Sequence, residues 1–134
     1  MPHCVILFTP NMKAKTDMSH LCRALADEML GILDENGKQV FPTGGTRVLS
    51  FPAAHYAVAD GRGDYGFIYI NVRMSSGRSD AVKKTAGDRL LDCAKNHLNS
   101  VFAKDLIGLT LQIDESPGQV YDGKHSNLHP LFNK

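Results

Sequence analysis

The sequence predicts an α+β domain made of two consecutive β-α-β units, with a four-stranded sheet and two helices on one of its faces. Short runs rich in β-branched and aromatic residues alternate with longer segments in which apolar residues recur every three or four positions. The two halves also run in register: strands start near residues 3 and 66, and helices start near residues 17 and 79. Because crossovers in β-α-β units are right-handed in nearly all proteins, each unit is expected to hold two parallel strands under its helix.

The first unit begins with a strand over residues 3–8 that is apolar almost throughout, as in strands covered on both faces. Thr16 or Asp17 is a suitable N-cap for the helix that follows. Its apolar stripe continues as far as Leu33, and Asn36 and Gly37 are expected to end it, because both tolerate a left-handed backbone. The second strand is predicted over residues 46–51.

The second unit repeats this order. A strand over residues 65–73 follows a glycine-rich turn, and a loop over residues 75–79 leads into a helix. The apolar stripe of that helix runs from Val82 to Val101. The last strand is predicted over residues 106–113, where apolar residues alternate.

A length of 134 residues predicts a single domain over 1–134, with halves at about 2–58 and 64–114 and a C-terminal tail at 115–134. With both helices on one face, the other face of the sheet is left bare, and its expected cover is another copy of the chain. A monomeric split β-α-β sandwich is the alternative. The tail carries Leu128, Leu131 and Phe132, which are apolar enough to dock on another surface, such as that of a neighbouring copy.

Composition excludes several classes of function. Fifteen Lys and Arg against fourteen Asp and Glu give a net charge of +1, so no general attraction to nucleic acid or anionic membrane is expected. No apolar run approaches the roughly 20 residues of a membrane span, and the N-terminus lacks the pattern of a signal peptide. The three cysteines, Cys4, Cys22 and Cys93, are odd in number and widely spaced, which favours reduced thiols and a cytoplasmic location.

Pro2 is the candidate catalytic base. If Met1 is removed, the chain begins with a prolyl secondary amine that leads directly into the first strand. An α-amino group has a pKa of roughly 7.7 to 8.0, and burial or nearby cations lower that pKa further. A base poised near neutrality suits removal of a proton from carbon beside a carbonyl. The alternative is that Pro2 merely begins a strand.

Arg47 and Arg78 are the candidate substrate-binding residues. Each follows a glycine-containing segment, which lets the backbone approach a ligand closely. Arg78 also lies beside the start of the second helix, where free N–H groups favour an anion. Two such sites suit a substrate with two carboxylates. The alternative is that both are solvated surface side chains.

Other sites are not expected. His125 and His129 are four residues apart, but Pro130 disfavours a helix there and no carboxylate is suitably spaced, so no metal is expected. The sequence also lacks the Gly-x-Ser-x-Gly motif of serine hydrolases.

Six short stretches together carry a resemblance to a known family. They are Pro2-His3, Phe41-Pro42 with residues 45–48, residues 59–61 with 64–65, residues 77–79, Ala86-Gly87 and residues 127–132. In these stretches, and in their order over nearly the whole chain, the sequence resembles the 5-carboxymethyl-2-hydroxymuconate isomerases of the tautomerase superfamily.

The resemblance implies a tautomerase fold, a homotrimer and cofactor-free chemistry in the degradation of aromatic acids. It implies that Pro2 is the base and that Arg47 and Arg78 bind the carboxylates of an unsaturated 2-hydroxy or 2-oxo dicarboxylate, such as 5-carboxymethyl-2-hydroxymuconate. Two other functions stay open from the residues: a tautomerase acting on phenylpyruvate-like enols, and a non-catalytic trimeric module that binds anions.

Overall fold

Four strands and two long helices, in the order β-α-β-β-α-β, make up the structure. The computed structural model describes residues 3–132. The strands are β1 (His3–Phe8), β2 (Val48–Pro52), β3 (Gly66–Ser75) and β4 (Ile107–Ser116). The helices are α1 (Met18–Leu30), α2 (Asp80–His97), α3 (Asn99–Phe102) and α4 (His129–Phe132), with short 3-10 turns at Pro10–Ala14 and Thr43–Gly45.

The sheet has the strand order β2-β1-β3-β4. The pairs β1/β2 and β3/β4 are parallel, which confirms the parallel pair predicted for each β-α-β unit. The central pair β1/β3 is antiparallel, and its register places His3 opposite Arg73. The two units therefore join along their first strands, at the middle of the sheet.

One face of the sheet forms the core with the two long helices. Alternate residues of β1 and β3 point into it, as expected from the period of two in a strand. The apolar stripes of α1 and α2 form the other side of this core, and the two helices pack against each other. The residues of this layer include Ile6, Ile68, Ile70, Leu21, Leu25, Leu90 and Leu98, all no more than 1% exposed.

The opposite face of the sheet carries apolar side chains with no cover in the single chain. Leu7, Leu49, Phe51 and Phe67 are each 39–50% exposed. Register places Leu7 beside Phe51 and Val5 beside Leu49 on the same face. The sheet is therefore covered by helices on one face only, as the sequence predicted. Within residues 3–132, no helix has the length and apolar character needed to cross a bilayer.

The prediction for the end of α1 was wrong. The helix begins as expected, with the Asp17 carboxylate accepting from the backbone N–H of His20. It ends at Leu30, because the next residues turn back on themselves: the Asp34 carboxylate accepts from the N–H groups of Asn36 and Lys38. Ile32 is fully buried outside the helix, so it extended the apolar stripe without belonging to it.

Candidate active site

Arg78 reaches back across the chain instead of into solvent. It follows Gly77, whose φ of 105° lies in the left-handed region that favours glycine, and it precedes Ser79, the N-cap of α2. Its Nη2 donates to the carbonyl oxygen of Val40, 3.1 Å away. Arg78 is partly buried, and the connector between α1 and β2 sets its direction.

A cavity of about 480 Å³ lies beside Arg78. Val40, Gly45 and Met74 line it from the connector and from the end of β3. The tail contributes Lys124, Ser126, His129 and Pro130. No Asp or Glu is among the described residues that line the cavity, so its two charged side chains, Arg78 and Lys124, are both cationic. This charge distribution favours an anionic ligand.

The positive charge of Arg78 acts on the carboxyl group of Asp34. Its pKa is held below the usual range, chiefly by the hydrogen bond from the N–H of Lys38 and, more weakly, by the charge of Arg78. Asp34 and Arg78 do not form an ion pair within residues 3–132. Because Asp34 is engaged by its own turn, the guanidinium retains donors for a ligand.

The tail closes one side of the cavity by packing on Gly44. A Cβ at Gly44 would lie 2.5 Å from the Cα of His129, so only glycine fits beneath this segment. The Ser126 hydroxyl accepts from the N–H groups of Leu128 and His129 and holds the start of α4. In the single chain Leu128, Leu131 and Phe132 each stay more than half exposed, so their predicted docking on a neighbour stays a prediction.

Arg47 is held by two acceptors and is not itself among the described residues that line the cavity. Its Nη1 donates to the carbonyl oxygen of Gly45 at 3.0 Å, and its Nη2 lies 3.1 Å from Nδ1 of His3. Gly45 lines the cavity, so the guanidinium of Arg47 is bonded to the cavity wall. The structure therefore brings both predicted arginines to one connector, with Arg78 on Val40 and Arg47 on Gly45.

The hydrogen bond to Arg47 fixes the protonation of His3. A guanidinium only donates, so Nδ1 of His3 is the acceptor and the neutral ring carries its proton on Nε2. The pKa of His3 is lowered, first by burial and then by the charges of Arg47 and Arg73. The start of β1 is therefore a place where positive charge on a titratable nitrogen is disfavoured.

The candidate base Pro2 lies outside the described residues, which begin at His3. Sequence reasoning missed His3 and the tail residues Lys124 and Ser126 as parts of the site. His3 was marked only by the Pro2-His3 stretch, and Lys124 and Ser126 by their proximity to the stretch 127–132. Residues 3–132 contain no group of three His, Cys, Asp or Glu side chains arranged to hold a metal.

Comparison with known proteins places the chain in a family. The family model described as 5-carboxymethyl-2-hydroxymuconate isomerase matches residues 2–132. The chain is 24% identical over 132 residues to the 5-carboxymethyl-2-hydroxymuconate Delta-isomerase of Escherichia coli, an alignment that covers 98% of this chain and 99% of the relative.

Solved structures agree in fold. The crystal structure of a 5-carboxymethyl-2-hydroxymuconate delta-isomerase matches with a TM-score of 0.94 and 50% identity, covering 100% of this chain and 94% of that one. The isomerase from Deinococcus radiodurans R1 matches with a TM-score of 0.84 and 26% identity, covering 99% and 95%. A macrophage migration inhibitory factor-like protein from Entamoeba histolytica, 13% identical with a TM-score of 0.55, covers 93% and 96% and shares the tautomerase fold. The chain therefore belongs to the 5-carboxymethyl-2-hydroxymuconate isomerase family and is an isomerase of the tautomerase superfamily.

Proposed function

We propose that this isomerase moves a proton within an unsaturated 2-hydroxy or 2-oxo dicarboxylate such as 5-carboxymethyl-2-hydroxymuconate. The amino-terminal nitrogen of Pro2 is the base, and Arg47 and Arg78 bind the carboxylates. The observation that carries the proposal is that Arg78 lines a cavity whose described lining has no Asp or Glu, while Arg47 donates to Gly45 of the same lining. Cytoplasmic location and action without a cofactor are part of the same proposal.

The cavity suits a small dianion. Its volume of about 480 Å³ lies within the usual range for small-molecule sites. Arg78 uses one hydrogen bond on Val40, so most of its five N–H donors are left for a carboxylate. Val40 and Met74 give the cavity an apolar wall, which suits the carbon skeleton of an unsaturated acid and strengthens charge interactions by excluding water.

The environment of His3 supports Pro2 as a base that is unprotonated near neutral pH. Removal of Met1 is required, because an acylated Pro2 nitrogen is an amide with no basic lone pair. Pro2 is bonded to His3, and consecutive Cα atoms are only about 3.8 Å apart. At His3, burial and the charges of Arg47 and Arg73 already lower the pKa of the imidazole. The same influences favour the neutral amine.

The reaction conserves all atoms. The Pro2 nitrogen takes a proton from the 2-hydroxyl group or from carbon, and the electron pair left behind spreads into a dienolate. A guanidinium that stabilises the dienolate more than it stabilises the bound substrate lowers the barrier to proton transfer. The protonated Pro2 then returns its proton to a different carbon, which gives the isomer and the free base.

We further infer that three copies assemble through the bare face of the sheet. A patch holding Leu7, Leu49, Phe51 and Phe67 at 39–50% exposure is unfavourable in water, and burying it on a neighbour removes that cost. The single domain predicted over 1–134 would be the subunit. The mass in solution, measured by light scattering, should be three times that of the chain; a monomer would contradict the assembly.

A substrate panel tests the proposed activity. Protein whose mass shows loss of Met1 is assayed by absorbance with 5-carboxymethyl-2-hydroxymuconate and with phenylpyruvate. We expect kcat/KM to be higher for the dicarboxylate, and Pro2→Ala, which keeps a primary amine, to lower turnover without changing the assembly. Equal or better turnover of phenylpyruvate would indicate a tautomerase of other specificity. Binding of both acids without turnover would indicate an anion-binding module.

A further inference from the structure

We propose that His3 is a positioning residue that holds the guanidinium of Arg47 in its substrate-binding orientation. The inference rests on the proposed function, in which Arg47 binds a carboxylate. It adds a role for the imidazole at the start of β1.

Both terminal nitrogens of Arg47 are held, and from different parts of the chain. Nη1 donates to Gly45, two residues away in the same connector. Nη2 donates to Nδ1 of His3, 44 residues away on β1. Two contacts at the two ends of a planar group fix its plane as well as its position. Arg47 therefore loses rotamer freedom in folding instead of in substrate binding, which favours affinity.

A neutral imidazole is chemically suited to this position. A carboxylate at residue 3 would pair with Arg47 and compete with the substrate carboxylate, whereas Nδ1 accepts a hydrogen bond and leaves the positive charge uncompensated. Protonated His3 could not accept this bond. Burial and the two facing cations, Arg47 before β2 and Arg73 on β3, keep the ring neutral.

Asp114 is the charged residue that follows Arg73 in the row of paired residues across the sheet from His3. It lies opposite Arg73 in the register of β3 and β4, and its carboxylate accepts from the amide of Asn71 at 2.7 Å. Arg73 and Asp114 therefore sit on the far side of His3 from Arg47. The charge of Arg73 lowers the pKa of the ring, and neither residue hydrogen-bonds to the ring within residues 3–132.

A double-mutant cycle tests the coupling between His3 and Arg47. The variants His3→Leu, Arg47→Ala and their combination are assayed with 5-carboxymethyl-2-hydroxymuconate. We expect His3→Leu to lower kcat/KM about 10-fold in the wild-type background, the size of one hydrogen bond to a charged group. In the Arg47→Ala background, His3→Leu should lower kcat/KM less than about twofold, because the guanidinium that His3 holds is absent.

The matched control replaces the other cation that faces His3. At a pH well above the ordinary pKa of histidine, where the ring is neutral with or without Arg73, the effects of His3→Leu and Arg73→Ala on kcat/KM should be additive. His3→Asn should recover most of the activity that His3→Leu loses, since the Asn oxygen can accept near the place of Nδ1 and does not titrate. By NMR titration, the pKa of His3 should rise in Arg47→Ala, as expected on removing a neighbouring cation.

The outcomes separate the two claims. If Arg47→Ala lowers kcat/KM but His3→Leu costs the same factor with and without Arg47, the positioning role is wrong and the proposed function stands. If His3→Leu leaves kcat/KM unchanged while Arg47→Ala lowers it, the role is likewise wrong. If Arg47→Ala itself leaves turnover of the dicarboxylate unchanged, the proposed carboxylate site at Arg47 is wrong, and the role of His3 falls with it.

Discussion

Arg47 and Arg78 reach the same connector by different routes. Arg47 precedes β2 and is held by the start of β1, so the sheet itself positions it. Arg78 precedes α2 and crosses to a carbonyl 38 residues earlier in the chain. Its cavity is completed by the tail, whose helix α4 packs on the turn Thr43–Gly45.

The difference teaches that the proposed anion site would have a rigid side at Arg47 and an adjustable side at Arg78. The Arg47 side is built on paired strands, whose geometry is set by backbone hydrogen bonds and by a buried core. The Arg78 side depends on a tail segment that is exposed throughout residues 117–132. We therefore expect substitutions in the tail and beneath it to change substrate selection through Arg78, while the Arg47 side stays intact.

The largest expected effects come from removing either arginine. Arg47→Ala and Arg78→Ala should each lower kcat/KM for the dicarboxylate by about 10- to 100-fold, the size of a lost hydrogen-bonded charge pair. The loss for phenylpyruvate, which has one carboxylate, should be smaller for at least one of them. Lys84→Ala removes a cation that is paired with Asp88 on the surface of α2, and it is the control for a change in net charge.

Equal losses on the two substrates for both variants would contradict the assignment of one carboxylate to each arginine. A loss in Lys84→Ala of the same size would mean that general attraction of anions, rather than these two contacts, sets the rate.

A smaller effect that separates the two sides comes from Gly44→Ala. The new methyl group would overlap the His129 backbone, so the tail must move off the turn. We expect KM for the dicarboxylate to rise severalfold while the pKa of His3, measured by NMR, stays at its wild-type value. Gly87→Ala is the matched control, because its methyl group would meet Ile113 at an ordinary 3.6 Å.

If Gly44→Ala raised KM and also shifted the pKa of His3, the Arg47 side and the Arg78 side would not be separable. If it changed neither quantity, the tail would have no part in the cavity.

Much of the fold could be predicted, because it depends on local periodicity. The strand over residues 3–8 follows from its apolar run, the N-cap at Asp17 from capping chemistry, and the start of α2 after the 75–79 loop from helical periodicity. The end of α1 could not be predicted, since Ile32 is buried by tertiary packing while Asp34 captures the backbone beyond it. β4 continues to Ser116, past the predicted end at residue 113, because its polar residues pair with β3.

The site was predictable only in its chemical composition. Glycine beside arginine marked Arg47 and Arg78; in the structure Arg78 lines the cavity, and Arg47 bonds to Gly45, one of the lining residues. Their partners Val40 and His3 lie 38 and 44 residues away, and no local pattern reports contacts of that range. The tail residues lacked a signal because their role comes from docking on Gly44, which depends on the whole fold.

The central claim is that the free secondary amine of Pro2 performs the proton transfer beside the two arginines. The most direct measurement compares two forms of the chain, one that begins at Pro2 and one that carries Gly-Ser before it, with assembly and melting temperature checked for both. Isomerisation of 5-carboxymethyl-2-hydroxymuconate should be rapid in the first form and lost in the second, because its Pro2 nitrogen is an amide. Equal turnover by the two forms would contradict the account.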